Sequence, residues 1–169
     1  MANVKIVLDA DVLIHFAKAD CLTLLPSILS EYDHIVLSTI YDEVKTIQQQ
    51  LDNQIQLLKN IQKVQFSPSG EMLREYASLR KLYGPGESAC MAYCRFTHDV
   101  IGSSNLKDIT DYCKEQKIVY VTTLDFLYHA YVRGVMSADE CNDFIRRVRT
   151  KGSKLPDVCI ENYTPNIKL

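Results

Sequence analysis

The sequence predicts an α/β domain, a three-layer sandwich with a central parallel sheet of four to five strands between layers of helices. Three observations carry this. Short, β-branched apolar runs recur along the chain, and helix-period segments separate them, an alternation that favours parallel pairing. Acidic residues follow several of these runs, at the edge where open α/β sheets bind ligands.

Val4, Ile6, Val7 and Leu8 read as a strand buried on both faces, ending on Asp9. A helix is expected over 11–19, and Asp20 is expected to cap a second through Leu29, kinked at Pro26. Ile35, Val36, Leu37 and Ser38 form the next strand, followed by helical pattern from Thr39 to about Ile61 and a short third strand over 64–66. Ser69 is placed to cap a helix running to Tyr83; Gly84, Pro85 and Gly86 then break the chain before a helix over 87–97. A strand over 100–104, a helix over 106–116 and a strand over 118–121 follow. Two helices, over 123–133 and 137–151, close the pattern, each stopped by a glycine (Gly134, Gly152). No linker or repeat divides the 169 residues, so one domain is expected, with a core over about 4–156 and an irregular tail.

Hydrophobic residues make up 47% and charged residues 24% of the chain, the balance of a soluble globular protein. A net charge of −2 does not advertise a nucleic-acid binder, but clustered acids mask basic patches in such a sum. No apolar run approaches membrane-spanning length, so no membrane partner is expected. The first apolar run is broken by Asp9, unlike a secretory leader. The six cysteines form no CxxC pair and fit a reducing, cytoplasmic setting as small buried hydrophobes. Cys90, Cys94 and His98 share one helical face and could hold zinc, yet no fourth ligand is evident and packing is the favoured reading.

The acids carry the chemistry. Asp9 ends the first strand, Glu43 lies one helical turn beyond the second, and Asp108 and Asp125 follow the last two strands. Glu87 opens a helix directly after Gly84-Pro85-Gly86, where the helix N-terminus is expected to keep a carboxylate ionised. Singly, each acid reads equally well as a helix cap or a solvated side chain. Together, parallel topology brings most of them to one edge, where they repel unless cations neutralise them. Oxygen ligands without Cys or His point to Mg²⁺ or Mn²⁺, which assist phosphodiester hydrolysis by activating water and screening developing charge.

Val7-Leu8-Asp9-Ala10-Asp11, then Leu37-Ser38-Thr39 with Tyr41-Asp42-Glu43-Val44, then Gly86-Glu87-Ser88-Ala89 together resemble the PIN domain, the metal-dependent ribonuclease fold of VapC-type toxins. The resemblance runs from Val4 to about Pro156. It implies that Asp9, Glu43 and Glu87 match three metal-binding family acids. The family's fourth acid sits in a Thr-Asn-Asp-like motif; here the stretch is Ser103-Ser104-Asn105-Leu106-Lys107-Asp108, so Leu106 takes the acidic position. The expected catalytic set is therefore Asp9, Glu43, Glu87 and Asp108, with Asp9, Glu87 and Asp108 on the metal. Asp11, Asn105 and Asp125 are further candidates.

RNA contact is assigned to Arg80, Lys81 and Lys107 by chain position, and the run Arg146, Arg147, Arg149, Lys151 and Lys154 reads equally as an RNA-binding or a solvated face. Several tyrosines could stack bases, although most sit at packing positions. The leading expectation is a toxin-type endoribonuclease with an antitoxin partner and a homodimeric state as further expectations. Against it stands a catalytically degraded PIN-like scaffold that binds RNA or a protein, favoured by Leu106. A receiver-like phosphotransfer domain ranks last, lacking a lone phosphoacceptor Asp with a downstream strand-end Lys.

Overall fold

A computed structural model describes residues 2–166. The chain runs through β1 (Lys5–Leu8), α1 (Ala10–Lys18), α2 (Leu25–Ile28), β2 (Asp33–Leu37), α3 (Ser38–Glu43), α4 (Gln48–Asp52) and β3 (Gln62–Val64). It continues through α5 (Gly70–Leu79), α6 (Pro85–Thr97), β4 (Val100–Gly102), α7 (Leu106–Gln116), β5 (Tyr120–Val121), α8 (Thr123–Val132) and α9 (Ala138–Thr150). The five strands form one parallel sheet in the order β3-β2-β1-β4-β5. Helices flank it as the outer layers of a sandwich, as the alternation of patterns predicts.

β1 is the centre of the sheet because its side chains leave it no solvent face: Ile6, Val7 and Leu8 are fully buried. The chain leaves β1 toward β2 on one side and returns to β4 on the other. That reversal of winding opens a crevice at the carboxyl ends of β1 and β4. Leu8 pairs with Gly102, and a side chain at Gly102 would press within 3.2 Å of Ile6 and Leu8, so a glycine keeps these two strands close. Helix α6 packs against β1, β2 and β4. Phe16 of α1 meets Phe126 of α8 and Phe144 of α9 edge to face at 5.9 and 4.8 Å.

Four expected elements differ. The third strand runs over Gln62–Val64 rather than 64–66, because pairing with Ile35–Leu37 of β2, and not an apolar run, sets its position. Asp20 does not cap a helix: it adopts a left-handed conformation (φ 57°) at the end of α1, and α2 forms only where Pro26 occupies a first-turn position, the place a residue without an N–H is tolerated. The long helix expected after Thr39 is broken at Val44 (φ −88°, ψ 48°). It resumes as a 3₁₀ turn (Lys45–Ile47), α4 and a π turn (Asn53–Leu57). Gln48 Nε2 donates to the Tyr41 carbonyl at 2.9 Å, a side-chain bond that replaces a helical one at the break. α5 stops at Leu79, short of Tyr83, and its cap Ser69 makes no side-chain bond. The tail is irregular apart from a 3₁₀ turn (Ile160–Asn162) whose Ile160 is fully buried.

His34 of β2 is 3% exposed with an unpartnered Nε2, and burial lowers its pKa to about 4 from 6.5. Stability that depends on neutral His34 is intact above pH 6.5 and is lost as pH falls toward about 4. His34→Leu is therefore expected to destabilise the protein less at pH 5 than at pH 7. Equal differences from wild type at both pH values, by urea titration, would assign acid sensitivity to other groups.

Candidate active site at the carboxyl edge of the sheet

A cleft of about 470 Å³ opens at this edge, and Asp9, Asp11, Glu43, Glu87, Ser104 and Asn105 line it. Each acid arrives by a local rule. Asp9 follows the last residue of β1 and is the N-cap of α1, its Oδ1 accepting from the Ala10 N–H at 2.8 Å. Its own N–H donates to the Gly102 carbonyl at 2.8 Å, which ties it to β4. Asp11 ties the start of α1 to the loop after β4: Oδ1 accepts from Val12 N–H at 2.7 Å and Oδ2 from Ser104 N–H at 2.8 Å. Glu43, in the last position of α3, reaches across to accept the Gly86 N–H at 2.9 Å. Glu87 stands in the first turn of α6.

The acids crowd one another. Burial pushes Asp9, 4% exposed, up to about 7, and the charges of Asp11 and Glu43 add to this against bonds from Ala10 and Ser103. Burial also raises Asp11 to about 6, opposed by the Ser104 and Val12 N–H groups. Glu87 rises to about 7, first by burial and then by the neighbouring Asp108 carboxyl. Burial and neighbouring carboxyls thus oppose the helix N-terminus that is expected to keep Glu87 ionised.

Asp108 does not line the cleft; it reaches it through Asn105, whose Nδ2 donates to Glu87 Oε1 at 2.6 Å and to Asp108 Oδ2 at 2.9 Å. Asp125 lies elsewhere. Its Oδ2 closes a capping box with Thr122, and its Oδ1 accepts from Tyr163 Oη at 2.7 Å and Asn166 N–H at 3.1 Å, so it fastens the tail to α8. Arg80, Lys81 and Lys107 line no part of the cleft; Arg80 instead donates to the Tyr83 carbonyl at 2.7 Å, bracing the turn before Gly84. Of the other basic run, Arg146 pairs with Asp143, and Arg149 donates to the Leu155 carbonyl at 2.5 Å. Cys90 and Cys94 are core residues, and His98 is an exposed left-handed C-cap, which excludes a shared zinc face.

Sequence reasoning missed His15, Ser104 and Ser153, all of which line the cleft, and named Lys154, which also lines it, only within the basic run. The signal for His15 was present: it follows Asp11 by one helical turn, and i, i+4 residues share a face. Ser153 carries no such signal, since a bond from Lys18 Nζ to its Oγ at 2.6 Å brings the tail there.

The donor chemistry fits a hard divalent cation. The cleft brings together the oxygens of four carboxylates, and the Glu87 Oε2 atom is sealed without a hydrogen-bond partner among the described residues. The pose is not closed around an ion: among the described residues no three His, Cys, Asp or Glu side chains are arranged as a finished metal site. The oxygens are turned instead to backbone N–H groups and to Asn105. Comparison with protein-family models and with curated proteins finds no match.

Gly86 holds Glu43 in place. A Cβ there would come within 2.5 Å of Ile40 Cδ1 and 2.6 Å of Glu43 Oε2. Gly86→Ala is expected to push the Glu43 carboxyl off the Gly86 N–H and to cost about 1–3 kcal/mol. Urea unfolding reads the stability, and an unchanged midpoint would show that Glu43 moves aside freely.

Proposed function

We propose that the protein is a metal-dependent endoribonuclease of PIN type that hydrolyses RNA phosphodiesters in this cleft. The observation that carries the reading is the convergence of Asp9, Asp11, Glu43 and Glu87 on one cleft at the point where the sheet reverses its winding. The raised pKa values of three of them are what cation ligands show when no cation offsets their repulsion. Asp9 and Glu87 would hold Mg²⁺ or Mn²⁺, with Asp108 engaged through Glu87 and Asn105; the bound ion supplies water activation and charge screening. Asn105 orients Glu87 by holding Oε1 and leaves Oε2 as the ligand atom. Asp11, fixed by two backbone donors, ties the start of α1 to the loop after β4. By the same resemblance, the enzyme acts as a toxin in the cytoplasm and an antitoxin neutralises it. The free cysteines, most of them buried or half-buried, fit a reducing compartment. No helix among the described residues is long and apolar enough to cross a membrane.

The test is cleavage of a fluorescently labelled single-stranded RNA. Wild-type protein is expected to cut it in Mn²⁺ or Mg²⁺ and to stop on chelation. No cleavage with either ion would overturn the reading. One observation favours a second reading, a non-catalytic RNA- or protein-binding scaffold: Asn105 ties Glu87 to Asp108, and Leu106, at the family's acidic position, is 40% exposed to solvent. Absence of Mn²⁺ binding by calorimetry would select that reading.

A further inference from the structure

The cleft holds a second set of polar groups that the acids do not explain. His15 is 4% exposed, and its Nδ1 lies 2.7 Å from Oγ1 of the fully buried Thr123. The Thr123 N–H donates to Ser104 Oγ at 2.8 Å, and the Ser104 hydroxyl donates to Thr123 Oγ1 at 2.9 Å. The Thr123 hydroxyl hydrogen then has His15 Nδ1 as its acceptor, which places the ring proton on Nε2. Nε2 has no protein partner among the described residues and is not sealed from solvent, so it gives onto the cleft. Burial lowers the His15 pKa to about 4, so the group is a neutral donor at pH 7.

Two more donors stand with it. Ser153 Oγ accepts from Lys18 Nζ at 2.6 Å, which leaves its hydroxyl hydrogen for the cleft, and Lys154 brings an ammonium group. Carboxylates offer acceptors alone, and so do the anionic oxygens of a phosphodiester. The acids therefore cannot hydrogen-bond the phosphate directly, whereas these donors can.

We propose that His15 Nε2–H, flanked by Lys154, contacts a non-bridging phosphate oxygen of RNA bound in the cleft, and that Thr123 is the positioning residue that fixes the His15 tautomer. This inference rests on the reading of the cleft as a site acting on RNA phosphodiesters.

Two measurements test it. Two-bond ¹⁵N–¹H correlation spectra of the metal-free protein at pH 7 are expected to show His15 protonated on Nε2, and Thr123→Val is expected to mix the tautomers. A wild-type ring protonated on Nδ1 overturns the proposal. In Mn²⁺-dependent cleavage of a labelled 12-nucleotide single-stranded RNA, His15→Phe is expected to raise KM by about tenfold or more, the worth of a hydrogen bond to a charged group. kcat should change far less, and His15→Gln, which keeps a donor, should recover most of the loss. Wild-type cleavage with an unchanged KM in His15→Phe overturns this inference and leaves the nuclease reading standing. If wild type does not cleave, that reading fails, and fluorescence anisotropy with the same RNA still decides. Weaker binding by His15→Phe then supports the contact, and equal binding overturns it. Should His15→Phe fail to fold, the nearly isosteric Thr123→Val carries the same comparison, with a raised KM expected and an unchanged KM overturning the inference.

Discussion

Asp9→Asn is expected to abolish Mn²⁺-dependent RNA cleavage and, in the same protein without metal, to raise thermal stability at pH 8. The two effects share one cause. Asp9 is buried at the end of the best-fixed strand, and its pKa is raised from 3.8 to about 7, burial being the largest cause. A carboxyl with a raised folded-state pKa stabilises fully below pH 3.8 and loses that contribution as pH rises through about 7. Each tenfold change in proton affinity is worth ~1.4 kcal/mol, so removing the ionisable group returns on the order of a few kcal/mol at pH 8 and much less at pH 4. Asparagine also accepts the Ala10 N–H, so the cap of α1 survives. Melting curves at the two pH values check the stability side. Calorimetry with Mn²⁺ checks the ligand side, where unchanged affinity removes Asp9 from the site.

Asp108→Ala is expected to lower cleavage by about two orders of magnitude, the scale seen when a group that stabilises transition-state charge is lost. Asp108 and Glu87 share the Asn105 amide, so the variant also frees Glu87 from a neighbour that raises its pKa. Leu106→Asp should add little activity if Asp108, through Asn105, serves as the fourth acid. Its position in the first turn of α7 tolerates an acid well. One assay on wild type, Asp108→Ala and Leu106→Asp separates the cases. Equal cleavage by wild type and Asp108→Ala removes Asp108. An inactive wild type with activity gained in Leu106→Asp marks a degraded site instead.

The inner strands were legible because they are short, continuous apolar runs, and burial on both faces allows little else; the edge strand Gln62–Val64, exposed and polar, was misplaced. Asp9 and Glu43 were legible together because a parallel sheet sends its strand ends to one edge, whereas Glu87, at a helix start, joined them by the resemblance. What stayed hidden depends on long-range partners. Nothing local to Asp20 signals its left-handed backbone, and nothing around residue 44 signals a break that Gln48 and Gly86 help to set. The upward push on Glu87 was not legible, because a helix N-terminus is local and visible, whereas Asp108 and Asp9 arrive through space. Asp125 shows the converse. Its place after a strand is compatible with a ligand, yet Thr122 and Tyr163 claim both oxygens.

The central position of β1 also bears on the order of assembly. Its pairing with β2 closes a short loop, while the Asp11–Ser104 bond joins residues 93 apart in sequence. Long closures come late, since their entropy must be met before the contacts reward it. Docking of β4 is therefore the step that crowds the carboxylates together, and a partly folded chain has β1 and β2 paired but no cleft. Electrostatic repulsion then acts as a brake on the last stage of folding. The brake is expected to strengthen at high pH, and a cation held by these acids is expected to relieve it, which refolding rates with and without Mg²⁺ would show.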